Sequence, residues 1–197
     1  DGVVSVAEDF NWATTYATYE LGGDPIRTQE FFSGISDITS LEYPTLLCQD
    51  ITDDLSVNGI IGISTEVHVT GCSLSINGNN FGNNSVVYFT NDSAKLVIDA
   101  GATLHCFQHI TIWGNPTNSI EINGSATFDG ANITIKSPEP GAKFGNLTLN
   151  NASFTNSVLD ANIQSQVFHN TTFLDCDTIR LESGTTSVTN SQFTGCN

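Results

Sequence analysis

The stretch FHNTTFLDCDTIRLESGTTSVTNSQFTGC, running from Phe168 to Cys196, states nearly the same phrase twice. Asn170-Thr-Thr-Phe173-Leu-Asp-Cys176 returns as Asn190-Ser-Gln-Phe193-Thr-Gly-Cys196, so an Asn, a Phe and a Cys each recur after 20 residues. The chain before it alternates apolar and polar residues in short runs: Val67-His-Val69, Leu96-Val-Ile98, Ile110-Thr-Ile112, Ile120-Glu-Ile122, Ile133-Thr-Ile135, Leu147-Thr-Leu149 and Ile179-Arg-Leu181. Period-two runs of this length read as strands with one buried face.

More of the chain shares this frame once it is aligned on the Phe. Leu147-Thr-Leu-Asn-Asn-Ala-Ser-Phe154 fits it, and Leu74-Ser-Ile-Asn-Gly-Asn-Asn-Phe81 matches that segment position for position. Ile98-Asp-Ala-Gly-Ala-Thr-Leu104 aligns with Ile122-Asn-Gly-Ser-Ala-Thr-Phe128. The anchors Phe81, Leu104, Phe128, Phe154, Phe173 and Phe193 then follow one another at similar but unequal steps. Self-similarity at such a period marks a solenoid, a propeller or an array. Each repeat holds two or three short strands and no helical segment. The fixed Leu spacing of leucine-rich repeats is missing, and a propeller blade needs about twice the length. The reading is an all-β chain, a right-handed parallel β-helix over residues 46–197, with about 19–26 residues per coil. Unequal steps fit, because extra residues loop out at corners; Lys136-Ser-Pro-Glu-Pro-Gly-Ala-Lys143, with two Pro, is such a loop.

Residues one repeat apart then lie one strand spacing apart, about 4.8 Å. The six anchors form one internal column. The Asn residues stack at a bend, where Asn tolerates left-handed backbone and bonds along a ladder. Cys176 lies over Cys196, with Ser157 in the same place one coil earlier. Cys48 and Cys72 are also separated by an interval typical of one repeat and read the same way. In an exported chain, Cys48–Cys72 and Cys176–Cys196 are expected as disulfides between adjacent coils; thiols packed as small apolar groups are the alternative. Cys106 is left over and reads as buried and inert. Residues 1–45 carry aromatics but no repeat phrase, and read as an N-terminal cap with a short helix around Asp9–Glu20.

The repeated pattern apolar-x-apolar-Asn-Asn/Gly-x-x-Phe, over residues 74–197, resembles the right-handed β-helix of the pectin-lyase-like superfamily. Phe81-Gly-Asn-Asn84 and Phe10-Asn-Trp-Ala also read near the Phe-x-x-Asn element of polymorphic-outer-membrane-protein surface repeats, although the Gly-Gly-Ala-Ile element of those repeats does not occur. That superfamily holds polysaccharide lyases and hydrolases, tailspikes and surface adhesins, so the resemblance implies an architecture and leaves function to the residues.

Five Lys+Arg against 21 Asp+Glu give a formal charge of −16, which argues against nucleic acid, an anionic membrane or an unassisted polyanionic substrate. No apolar window is long enough to cross a membrane as a helix, and the opening Asp suggests a processed, exported chain. The 20 Asn, 19 Ser and 24 Thr suit turns and sheet surfaces. Sequons occur at Asn83, Asn91, Asn123, Asn132, Asn146, Asn151 and Asn170. Asn123, Asn151 and Asn170 belong to the repeating bend and read as inward ladder residues, leaving Asn83, Asn91, Asn132 and Asn146 as the candidate glycan acceptors.

Catalytic chemistry finds little material. The polygalacturonase pattern of Asn-Thr-Asp, Asp-Asp, Gly-His-Gly and Arg-Ile-Lys is absent, and Asp53-Asp54 stands alone. Arg180 points outward from its strand. Asp175 and Asp177 flank Cys176 as a weak calcium candidate. His105 and His109 read as sharing a strand face that Cys106 does not, which is poor zinc geometry. No cofactor is expected. The sequence therefore favours a non-catalytic extracellular structural or adhesive module, self-associating or meeting another extracellular protein through its C-terminal coil, whose repeat is still running at Cys196. The alternative is a carbohydrate-binding or polysaccharide-degrading β-helix, with Trp12, Tyr88 and Trp113 as sugar platforms.

Overall fold

The computed structural model of the chain describes residues 45–77, 84–182 and 184–196. They form an all-β parallel solenoid of about six turns, with no helix among the described residues. They belong to one compact unit, Pro44–Asn197. The cap expected over residues 1–45 lies outside them, apart from Thr45, and so does Phe81.

Three faces run the length of the solenoid. The first stacks Leu55–Asn58, Ser73–Asn77, the leading parts of Thr103–Trp113 and Ser125–Lys136, then Ala152–Thr155, Thr172–Leu174 and Gln192–Thr194. The second stacks Thr45–Leu47, Ile60–Ile63, Asn84–Phe89, the trailing parts of those two long strands, Val158–Ala161 and Thr178–Leu181. The third stacks Glu66–Val69, Lys95–Ile98, Ser119–Ile122, Phe144–Asn150, Ile163–His169 and Thr185–Thr189. Every pairing is parallel, because each strand meets the equivalent strand of the next coil rather than its own neighbour in sequence.

The corners explain the repeated Asn. Asn151, Asn156, Asn170 and Asn190 have φ of 56°, 48°, 49° and 50°. Asp175 (φ 51°) and Gly195 (φ 66°) take the same conformation. Asn, Asp and Gly are the residues that tolerate left-handed backbone. The N–H of each of Asn151, Asn156, Asn170 and Asp175 donates to the next coil, to the carbonyls of His169, Leu174, Thr189 and Thr194 respectively. The residue that follows each is small and turns inward: Ala152, Ser157, Thr171 and Cys176 are all buried. The Ser157 hydroxyl fills its corner, reaching the carbonyls of Phe128 (2.9 Å) and Thr155 (2.8 Å) and accepting from the Ala131 N–H.

The aromatic column is shorter than the sequence frame gives. Phe128, Phe154, Phe173 and Phe193 pair in register, with ring centroids 4.1, 4.7 and 4.6 Å apart in near-parallel stacks. Leu104 does not belong to it. It pairs with Leu74 and Ala126, and Cys106 faces Phe128. Asp99–Ala102 makes a four-residue corner where Asn123-Gly124 makes a two-residue one, so counting along the chain slips by two. Ile76 stands beyond Cys106 in the column, and Leu74 lies on the first face whereas Leu147 lies on the third.

Two neighbouring inner columns of the first face trade volume. Leu74 with Ile76 and Leu104 with Cys106 give way to Ala126 with Phe128 and Ala152 with Phe154. Each large ring sits beside a small residue, which keeps the density of the core constant from coil to coil. Around the changeover lies an apolar space of about 30 Å³, lined by Ile76, Leu104, Cys106, Ile112 and Phe128 among others. It has no polar group to hold a ligand or an ordered water.

Coil length varies mainly at the corner between the second and third faces. Residues 137–143 loop out there, and one coil later Asn162 alone turns it. The step from Phe128 to Phe154 is thus longer than the step from Phe154 to Phe173. The solenoid stays closed throughout.

Candidate functional site

The solenoid's exterior is where its scarce cations act. Glu66 and Lys95 are in-register neighbours on adjacent coils, 3.5 Å apart. Asp160 and Arg180 are likewise in register, with Arg180 Nε donating at 3.0 Å and Glu182 3.9 Å away. Trp113 and Lys136 are a third such pair, the ammonium lying 4.2 Å from the indole centroid. A cation on a ladder position meets the equivalent residue of the next coil at strand spacing, so each of these three ties two coils together. Arg180 does point outward, paired with Asp160 across the coils.

The third face carries the densest polar cluster. His68 Nδ1 lies 3.1 Å from Asp99 Oδ1 and its Nε2 lies 3.3 Å from Glu66 Oε1. Thr70 Oγ1 donates to Asp99 Oδ2 at 2.8 Å, and Asp50 accepts the His68 N–H. Hydrogen bonding to Asp99 raises the His68 pKa, and the bonds from Thr70 and His68 lower that of Asp99. A carboxylate at each ring nitrogen favours the protonated form of His68, which then links the two coils. No local motif marks it in the sequence, since His68 and Asp99 meet only once the register is fixed.

The pH dependence has a definite sign. A raised folded-state pKa gives stability that is present below the ordinary imidazole value of about 6.5 and is lost as pH rises through the raised one. The lowered Asp99 pKa adds stability above its unfolded value, lost as pH falls through the folded one. Asp99→Asn should therefore destabilise the protein more at about pH 5.5 than at about pH 8. Urea unfolding at the two values checks this, and an equal loss at both would exclude a charged link.

The cysteines overturn part of the sequence reading. All five are free thiols. Cys48 follows Leu47, whose partner is Ile63, at the corner between the second and third faces; Cys72 precedes Ser73, at the corner between the third and first. The two are on different edges of the solenoid and cannot bond, because the coil here runs only from Leu47 to Ile63, well short of the interval from Cys48 to Cys72. Cys72 instead donates to the Ile51 carbonyl. Cys176 and Cys196 do occupy successive rungs of one corner, as thiols. Cys106 is buried, which pushes its pKa well up and keeps it protonated.

His105 and His109 do not share a face: the chain turns at Gln108 (φ 62°), leaving His105 on the first face beside Phe107 and His109 at the start of the second. Asp175 and Asp177 are exposed on either side of buried Cys176, and no group of three or more metal-ligating side chains exists among the described residues. Asn83 and Trp12 lie outside the described residues. Asn91 is exposed, with its side-chain oxygen accepting from Ser93. Asn132 stands half-buried between His109 and Val158, and Asn146 is exposed between Ser119 and Ser165. Asn123, Asn151 and Asn170 are exposed too, with Asn170 donating to Asn151 and Asn150 to Asn123 along the outside of the corner. The inward placement expected for those three is thus incorrect, since the residue after the left-handed position is the one that turns in.

Tyr88 and Trp113 come together, in register on adjacent rungs of the second face. Lys136 covers the Trp113 face on the next rung.

The last described coil is open. Thr185–Thr189 and Gln192–Thr194 are exposed along their whole length. Val188 (43 %) and Phe193 (49 %) continue the inner columns of Phe168 and Phe173, which are fully buried.

No protein-family model matches the chain, and no curated protein or solved structure matches it either. The parallel solenoid rests on the strand pairing itself, and no family within that architecture is assigned.

Proposed function

We propose that this chain is a non-catalytic structural or adhesive solenoid of an extracellular surface, and that it self-associates end to end through its last coil. The observation that carries the reading is the apolar surface of the last described coil, where Val188 and Phe193 stand exposed although they continue the buried columns of Phe168 and Phe173. A second copy docked on that apolar surface would cover Val188 and Phe193, and a heterologous end-on contact of this kind propagates. The formal charge of −16 keeps the sides apart while the apolar end stays adhesive. Light scattering across a concentration series should give a mass rising above that of one chain. Phe193→Asp should weaken the association at least about tenfold. A monomer at every concentration, with fast amide exchange over 185–194, would refute self-association.

A second reading, carbohydrate binding, is favoured by Tyr88 and Trp113 on adjacent rungs. Against it, Lys136 occupies a ring face that a sugar would use. A glycan array tests it, binding that disappears in Trp113→Ala being the supporting outcome.

A further inference from the structure

Two rungs of one corner carry sulfur where the preceding rung carries a hydroxyl. Ser157 reaches the carbonyls of Phe128 and Thr155 at 2.8–2.9 Å. Cys176 reaches the equivalent carbonyls, Phe154 and Leu174, only at 3.7 and 3.6 Å, and Cys196 reaches Phe173 and Thr194 at 3.5 Å. A thiol is a weak donor, so the corner is served less well by Cys than by Ser. Capping the corner does not account for sulfur at two successive rungs. The two thiols occupy successive rungs of this corner, since Thr172–Leu174 pairs in register with Gln192–Thr194 just before them. Cys176 is buried and Cys196 is partly exposed, so an approaching reagent meets Cys196 first.

We infer that Cys176 and Cys196 form a dithiol site for a low-molecular-weight disulfide, and that its oxidation clasps the last coil to the one before it. The Cys196 thiolate attacks one sulfur of the reagent, forming a mixed disulfide and releasing one small thiolate. The Cys176 thiolate then attacks Cys196 Sγ and releases the second. The reagent's disulfide is reduced to two thiols, the protein gains one disulfide, and the two protons lost by the cysteines return to the released thiolates. Adjacent rungs, about 4.8 Å apart, lie within the Cα separations that a disulfide spans. The bond closes a loop around the coil that is otherwise the most exposed of the solenoid. This inference does not depend on self-association.

The test is incubation of the protein with oxidised glutathione, against a dithiothreitol control. The expected result is loss of two hydrogens, with Cys176 and Cys196 as the linked peptides, and exchange over residues 185–194 at least about tenfold slower. Cys176→Ser places at this rung the residue that already fits at Ser157, and it should stop at a glutathione adduct on Cys196. A wild-type protein that stops at the same adduct, stays reduced, or forms the bond without slowing exchange would overturn the inference.

Discussion

Phe173→Ala should destabilise the protein by about 3–5 kcal/mol, measured by urea unfolding. Phe173 is fully buried and its ring is stacked on both sides, 4.7 Å from Phe154 and 4.6 Å from Phe193, with Phe168 edge-on at 5.7 Å. Removing it opens a cavity between two coils whose positions are fixed by their own ladders, so the walls cannot close in. Phe193 tests the same column from its open end. Half exposed, with one ring neighbour, it should cost about 1 kcal/mol on replacement by Ala in the dilute protein. Equal losses at the two positions would mean that the last coil is as well packed as the coils below it.

The ladder arithmetic of the last coils was readable because their corners hold constant length. Asn170 to Asn190, Phe173 to Phe193 and Cys176 to Cys196 all keep the same step. Earlier in the chain the same arithmetic misleads. Between Ile98 and Thr103 the corner has four residues, and between Ile122 and Ser125 it has two. Both preserve the inward–outward alternation, because the difference is even, and Leu104 stays internal while moving to the wrong column. Sequence pattern reports which face a residue takes; it does not report which rung partner it meets once corners differ in length.

The polar contacts were less legible still. His68 with Asp99, Asp160 with Arg180 and Trp113 with Lys136 are pairs between coils, each separated by a full turn of chain. None has a local signature, since each strand presents only one member. Cys48 and Cys72 mislead for the same reason: their interval matches a typical repeat, whereas the local coil, from Leu47 to Ile63, is much shorter. The corner rule, a left-handed Asn, Asp or Gly followed by a small inward residue, is the signal that would have separated these cases. It places Cys176 and Cys196 inside, each after such a residue, and it offers no such residue before the exposed Cys48.

Gly124→Ala should destabilise the protein by about 3 kcal/mol or more, one of the largest losses available to a single added methyl group. Gly124 lies in the two-residue corner that sits directly on the four-residue corner of the preceding coil. A Cβ there would stand 2.2 Å from the Ala102 carbonyl oxygen and 2.4 Å from that of Asp99. Both oxygens are fixed. Ala102 O accepts the Ser125 N–H and Asp99 O accepts the Ala102 N–H, while Gly124 itself donates to Ile98 O. Relief requires the two coils to separate and gives up ladder bonds on both sides of the corner. Gly130→Ala separates this steric cost from the dihedral one. Its φ is 60°, yet nothing lies within 4 Å of an added Cβ, so it should lose only about 1–2 kcal/mol. The expected order in urea is wild type, then Gly130→Ala, then Gly124→Ala. The reverse order would show that the coils are not in contact at Gly124, and that the register assigned between Ile98–Thr103 and Ile122–Ser125 is wrong.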